Sequence, residues 1–238
     1  MYELIDKELG RIVVTPHKRA KRIIARRMGE FIRLTVPDRF NMNNIHAVLR
    51  ELKPGIMKLS QPSTACITIE DVISTLTFDV YMVKDPFIDR LSISLKEGKL
   101  KLFFPVACDI SQPANQKKIK EAIIHVLRRE AKRVLPEKTA FFAQKEGFSY
   151  NQIRINSSRS RWGSCSAKKN INFSLFLLLL PERLIDYVVL HELAHTIEMN
   201  HGERFWQLLE RLCDGKAKML REEMKNYSSD GYRFLIQQ

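Results

Sequence analysis

The hydrophobic positions of the first half of the chain fall in short runs bounded by turn-prone residues, and those of the second half recur at helical spacing over longer stretches. RIVV (11–14), RIIARR (22–27) and FIRLTV (31–36), separated by Thr-Pro and Met-Gly pairs, predict three short strands. Residues 41–59 break that rhythm: Ile45, Val48, Leu49 and Leu52 share one helical face behind Asn43 or Asn44 as cap. Strand-like stretches return at 65–69, 74–83, 91–95 and 99–104, with Glu97-Gly98 joining the last two as a hairpin. At Gln112-Pro113 a long basic amphipathic helix begins, and Pro136 is expected to stop it near residue 135. A helix over 140–146, strands over 152–157 and 171–178, a helix opening at Pro181 and a final helix over 203–226 complete the pattern. No internal repeat or low-complexity tract is visible. The reading is α+β, with a β-rich region over 1–110 and a second region over 111–238 in which a helix packs on a small sheet.

With 238 residues, 45% of them hydrophobic, the chain can build a substantial core and disorder is not the default. Cys66, Cys108, Cys165 and Cys213 are widely spaced and form no CxxC, so neither a disulfide framework nor a thiolate zinc knuckle is indicated. The first residues lack the uninterrupted apolar segment of a secretory signal, and the longest apolar run, 175–180, is too short to span a membrane. A soluble cytoplasmic protein, without membrane contact, is expected. Net charge is +13, from 40 basic and 27 acidic residues. Residues 11–27 hold seven Lys or Arg and 152–181 hold five, neither with an acid, so weak nucleic-acid contact is a reading to set beside that of ordinary solvated faces.

The chemistry concentrates in residues 188–206, VVLHELAHTIEMNHGERFW. His191 and His195 are four apart, which on a helix puts both imidazoles on one face where they can share a metal ion. Glu192, about 100° around the helix, can reach a metal-bound water without ligating and reads as the general base. A straight helix would carry His201 about 9 Å along the axis and about 240° around it, so the chain must turn for it to be the third ligand. Asn200, tolerant of the left-handed conformation, and Gly202 are the residues to make that turn. Glu198, seven residues past His191, is the rival third ligand. Three histidines with a fourth position left open describe a catalytic zinc site. Leu184, Ile185, Val188, Val189, Leu193 and Ala194 should bury and anchor the helix that carries it.

Other residues carry weaker signals. His125 reads as a packed or edge residue, Trp162 and Trp206 as core residues fixing the strand and the third-ligand loop, and Cys165 as a small buried thiol more readily than a metal sensor. Tyr187, Arg161, Tyr227 and Tyr232 are candidates for stabilising an oxyanion, each with a structural hydrogen bond as the commoner role.

Arg161-Trp162-Gly163-Ser164-Cys165, Asp186-Tyr187-Val188-Val189, the HELAH run, and Asn200-His201 followed by Phe205-Trp206 together resemble the YgjP-like zinc metallopeptidases, over about residues 117–206. That family is zincin-like and similar to the SprT-like and WLM families. The resemblance implies zinc on His191, His195 and His201, Glu192 as catalytic base, and a strand beside the motif helix that holds an extended peptide, with 171–178 as the candidate. Glu198 stands where a metzincin would have its turn glycine, so no Met-turn is inferred. Two functions follow: a zinc-dependent endopeptidase acting on a peptide or protein substrate, or a nucleic-acid- or protein-binding module with a zincin fold and little turnover. Oligomeric state is not legible.

Overall fold

A computed structural model describes residues 2–28, 31–57 and 66–227. The predicted Met-Gly turn at its glycine, the end of the 41–59 helix, Ala65 and Tyr232 lie outside the described residues. Two compact units divide between Ala65 and Cys66, so the change of character at 110/111 falls inside the second unit.

In the first unit, β1 (Tyr2–Asp6), β2 (Gly10–His17), β3 (Ile24–Met28) and β4 (Phe31–Pro37) form a sheet in the order β1-β2-β4-β3, with β2 and β4 parallel. Strand β1 was missed, although its alternating apolar and charged residues carry the signal of a half-buried strand. Ile12 and Val14 of β2 and Ile32, Leu34 and Val36 of β4 point to one face and are fully buried. They share a core with Ile45, Leu49 and Ile56 of α1 (Ile45–Met57). Asn41, not Asn43 or Asn44, caps the short 3₁₀ turn that leads into α1, its side chain accepting from the Asn43 amide at 3.0 Å.

The second unit opens with another four-stranded sheet: β5 (Ile73–Ser74), β6 (Asp79–Asp85), β7 (Ser92–Lys96) and β8 (Lys99–Pro105), in the order β5-β6-β8-β7. The β7–β8 hairpin turns at Glu97 (φ 49°) and Gly98 (φ 71°), both left-handed as a two-residue turn of this kind requires. The order and pairing senses repeat those of the first sheet: β6 runs parallel to β8, and the other two pairs are antiparallel. A third sheet repeats three strands of that plan, with β9 (Gln152–Asn156) parallel to β11 (Asn170–Ser174) and β10 (Gly163–Cys165) antiparallel to it. Each of the three sheets is followed by a helix. The chain therefore carries a repeat of topology that its residue identities do not display.

Helix α2 (Pro113–Glu146) runs through Pro136, which the sequence reading took as its end. Proline removes one intrahelical hydrogen bond, and the carbonyl that loses its partner belongs to exposed Lys132, where water can replace it. Buried Leu127, Ala131, Leu135, Thr139 and Ala143 continue one packed stripe across the proline. That stripe joins Val80, Leu100 and Leu102 of the second sheet in one core, which is why no unit boundary falls at 110. The leucine run is not a strand continuing from β11. Leu175–Leu179 is a buried 3₁₀ turn, capped by the Ser174 hydroxyl, which accepts from the Phe176 amide and donates to the Ser158 carbonyl. Last come α3 (Glu182–Ala194), α4 (Glu203–Leu212) and α5 (Ala217–Tyr227). The single helix expected over 203–226 is broken where Asp214 (φ 52°) and Gly215 (φ 76°) are both left-handed. No helix among the described residues is long and apolar enough to cross a membrane.

Candidate metal centre

Helix α3 buries the six apolar residues predicted for it, so the site rests on an element locked into the core. The helix ends earlier than HExxH suggests. Its last residue is Ala194, and His195 is the C-cap, still helical in backbone with its amide bonded to the His191 carbonyl at 3.2 Å. His191 and His195 therefore keep their one-turn offset. The chain then tightens through Thr196 and Ile197, whose amides bond back to the Leu193 and Ala194 carbonyls. Asn200 is not left-handed and Gly202 has φ −78°; the chain turns at His195–Ile197 and bends again at Asn200, whose carbonyl accepts from the Gly202 amide at 2.8 Å. It returns His201 to the first two histidines just before α4.

The three Nε2 atoms form a triangle with sides of 3.2, 3.1 and 3.1 Å. An ion bound at 2.0–2.1 Å by three corners of a tetrahedron needs those corners about 3.3 Å apart, so the donor set fits a zinc-sized ion. The tautomer of His195 agrees. Nδ1 of His195 lies 3.0 Å from the Glu198 carbonyl, which can only accept, so Nδ1 carries the proton and Nε2 of the neutral ring keeps its lone pair. Burial, then His195 and His201, push the His191 pKa down to about 3, and burial and His195 lower that of His201. Unprotonated rings are the ones that can ligate. Glu198 contributes its carbonyl, and its carboxylate is not part of the cluster.

Phe205, named in the sequence only as part of the resemblance, has a place at the site that the sequence did not indicate. It is fully buried, with its ring 4.9, 4.5 and 4.8 Å from those of His191, His195 and His201. It is the common floor on which the three imidazoles stand. Trp206 fixes the loop as expected, its indole N–H donating to the His201 carbonyl at 3.1 Å, but it is a half-buried wall of a cleft and not a core residue. That cleft, about 500 Å³, is lined by His191, Glu192 and His201 together with Tyr187, Trp162 and Gly163. Trp162 is thus a half-buried cleft wall and not a core residue.

Glu192 is 5% exposed and packs against β10. A Cβ on Gly163 would sit 2.5 Å from its Oε1 and 2.8 Å from its carboxyl carbon, so only glycine leaves room for this carboxyl group. Its other oxygen, Oε2, is buried without a hydrogen-bond partner, as is Nδ1 of His191. Burial pushes the Glu192 pKa up to about 8 against the pull of Arg161, and a nearby cation would draw it back down. Tyr187, buried, is pushed up to about 12 and keeps its hydroxyl proton. Burial and Glu192 raise the Cys165 thiol, and it is not among the clustered ligand atoms. Arg161 lines the cleft, Tyr227 lines a different one, and His125 is an exposed residue of α2. The strand expected to hold a peptide, β11, is paired on both edges; the open edge beside the cleft belongs to β10.

The search against curated proteins finds no match. Among solved structures, the metallopeptidase zymogen abylysin of Pyrococcus abyssi is similar at 22% identity and a TM-score of 0.36, over 40% of this chain and 94% of that one. A family model described as YgjP-like, metallopeptidase domain, matches residues 19–227, and the chain belongs to the YgjP-like metallopeptidases.

Proposed function

We propose that this metallopeptidase is a zinc-dependent endopeptidase in which His191, His195 and His201 hold the ion and Glu192 is the general base. The observation that supports it most is the convergence in one cleft of three imidazole nitrogens and a buried carboxyl group whose Oε2 has no other partner. Zinc held there would supply a Lewis acid that acidifies water toward neutral pH and polarises a carbonyl. Oε2 of Glu192 takes a proton from the attacking water and returns it to the leaving amide nitrogen. Gly163 lets that carboxyl group lie against the strand, and burial strengthens its basicity once ionised. Tyr187, protonated and at the cleft wall, is placed to donate to a substrate oxygen. The open edge of β10 favours an endopeptidase, because an extended chain can pair with it and continue past both ends of a three-residue strand. A cytoplasmic setting accords with four free cysteines.

The test is a digest of mixed peptides with protein stripped by chelator and with protein reloaded with zinc. Cleavage at internal bonds only after reloading is expected. Equal cleavage by both samples, or no zinc bound after reloading at neutral pH, contradicts the reading.

A further inference from the structure

Two guanidinium groups stand in the cleft with carboxylates facing them only beyond ion-pair distance, Glu192 for Arg161 and Glu222 for Arg221. Arg161 and Arg221 both line it and both are exposed, and among the described residues neither has a carboxylate within ion-pair distance. Neighbouring acids are already engaged: Glu223 with Arg183, Glu222 with Lys225, and Glu182 and Asp186 with Lys138. Glu192 is the one carboxyl group lining the cleft among the described residues, and it is buried.

A solvated arginine is ordinary on a surface, but these two are tied to the centre. The Arg221 guanidinium lies 4.7 Å over the Trp206 ring, and that indole is bonded to the His201 carbonyl. A guanidinium beside an indole can still turn N–H edges outward to fork onto a carboxylate. Arg161 lies two residues before Gly163, the residue that seats Glu192. Trp162, Trp206 and Val188 bring apolar surface to the same walls, which weakens the screening of any charge between them.

We propose that Arg161 and Arg221 form a carboxylate-recognition pair, which makes peptides bearing a carboxylate beside the scissile bond the preferred substrates of this centre. The proposal rests on the peptidase reading. The carboxylate has two sources: an Asp or Glu side chain next to the cleaved bond, which keeps the endopeptidase reading, or the C-terminus of the peptide, which would replace it with a carboxypeptidase.

Four peptides with a common core separate the sources: free or amidated C-terminus, each with Glu or Gln beside the cleaved bond. With zinc-loaded full-length protein, at least one carboxylate should raise kcat/KM by about 10-fold, the ratio expected of one charge-assisted contact. Arg221→Gln should remove most of that preference through KM, Arg221→Lys should keep part of it, and Arg161→Gln should reduce it. Equal kcat/KM for all four peptides overturns the proposal. So does an Arg221→Gln variant that lowers kcat by one common factor on all four, the mark of a group that stabilises the oxyanion instead. Equilibrium binding of the peptides to the zinc-loaded Glu192→Gln protein, followed by fluorescence anisotropy, makes the test independent of turnover. A carboxylate preference in binding with no cleavage by the wild type sinks the peptidase reading and keeps the arginine assignment; cleavage with no preference in either assay does the reverse. Should Arg221→Gln fail to fold by circular dichroism, Arg161→Gln and Arg221→Lys carry the same comparison.

Discussion

The contact between Gly163 and Glu192 joins a strand to a helix at the point where the chemistry is placed, and it makes the position of the carboxyl group sensitive to a single methyl. In Gly163→Ala the new Cβ would fall 2.5 Å from Oε1 and force the carboxyl group off its seat. Displacement of a reacting group by about 1 Å can cost about 10²-fold in rate. The variant should therefore keep its metal and lose kcat on that scale; full activity would show that Glu192 has another working position. Titration gives a second test. The Glu192 pKa is raised, so in the metal-free protein this group contributes stability that is present below pH 4.5 and lost as pH rises through about 8. The depressed His191 contributes stability that is present above pH 6.5 and lost as pH falls through about 3. Between 6.5 and 8 only the Glu192 slope remains of the two. Metal-free wild type should lose on the order of 1–2 kcal/mol more than Glu192→Gln across that interval in urea titrations. Parallel curves for the two proteins would remove the buried-carboxyl account. The histidines and Glu192 were legible in the sequence because their spacing on one local segment is itself the signal. The contacts of Gly163, Phe205 and Arg221 were not, although the resemblance includes the first two, because each meets the histidines and Glu192 through tertiary contact. A glycine inside RWGSC was the one available hint of a close approach.

Among the elements, the misread ones share a cause: a local rule was overruled by packing. Pro136 should end a helix by its chemistry, yet the buried stripe of α2 runs across it and the freed carbonyl belongs to an exposed residue. An unnecessary proline in a helix interior is a stability cost, so Pro136→Ala should raise the unfolding free energy by about 1–3 kcal/mol. A lower melting temperature would show that the proline shapes a bend the core needs. The run 175–180 was ambiguous for a different reason, since an apolar stretch of that length has no polar face from which to read a period. Helix α3 was correctly placed by its buried face, but its end was not. The turn after Ala194 is made by ordinary αR and 3₁₀-type bonding that needs neither asparagine nor glycine. At this scale His201→Ala removes the one histidine of the proposed site carried by neither α3 nor its C-cap. Zinc affinity should fall by at least about 10²-fold while circular dichroism is unchanged, and unchanged affinity would return the third position to another group.

The whole molecule adds a topological repeat and an uneven charge. The repeat was invisible because strand order and sense are set by pairing across the chain, while each sheet fills its faces with different residues. The boundary placed at 110/111 tracked a change of secondary structure, whereas compact units are divided by where cores are shared. On the sheet of the first unit, the Arg11 and Arg33 guanidiniums both lie 5.8 Å from the Phe31 ring centroid, within a strongly basic stretch. The charge predicts weak, sequence-independent binding of DNA or RNA that falls steeply with salt through counterion release. No binding at low ionic strength would reduce it to a solubility feature. The central claim concerns Glu192, and Glu192→Gln tests it most directly, because the amide keeps the shape of the side chain and cannot take a proton from water. Zinc content and hydrolysis of the same peptide mixture should be measured on wild type and variant side by side. The account predicts equal zinc and a loss of hydrolysis of at least about 10²–10⁴-fold; loss of the metal from the variant, or undiminished cleavage by it, would contradict the account.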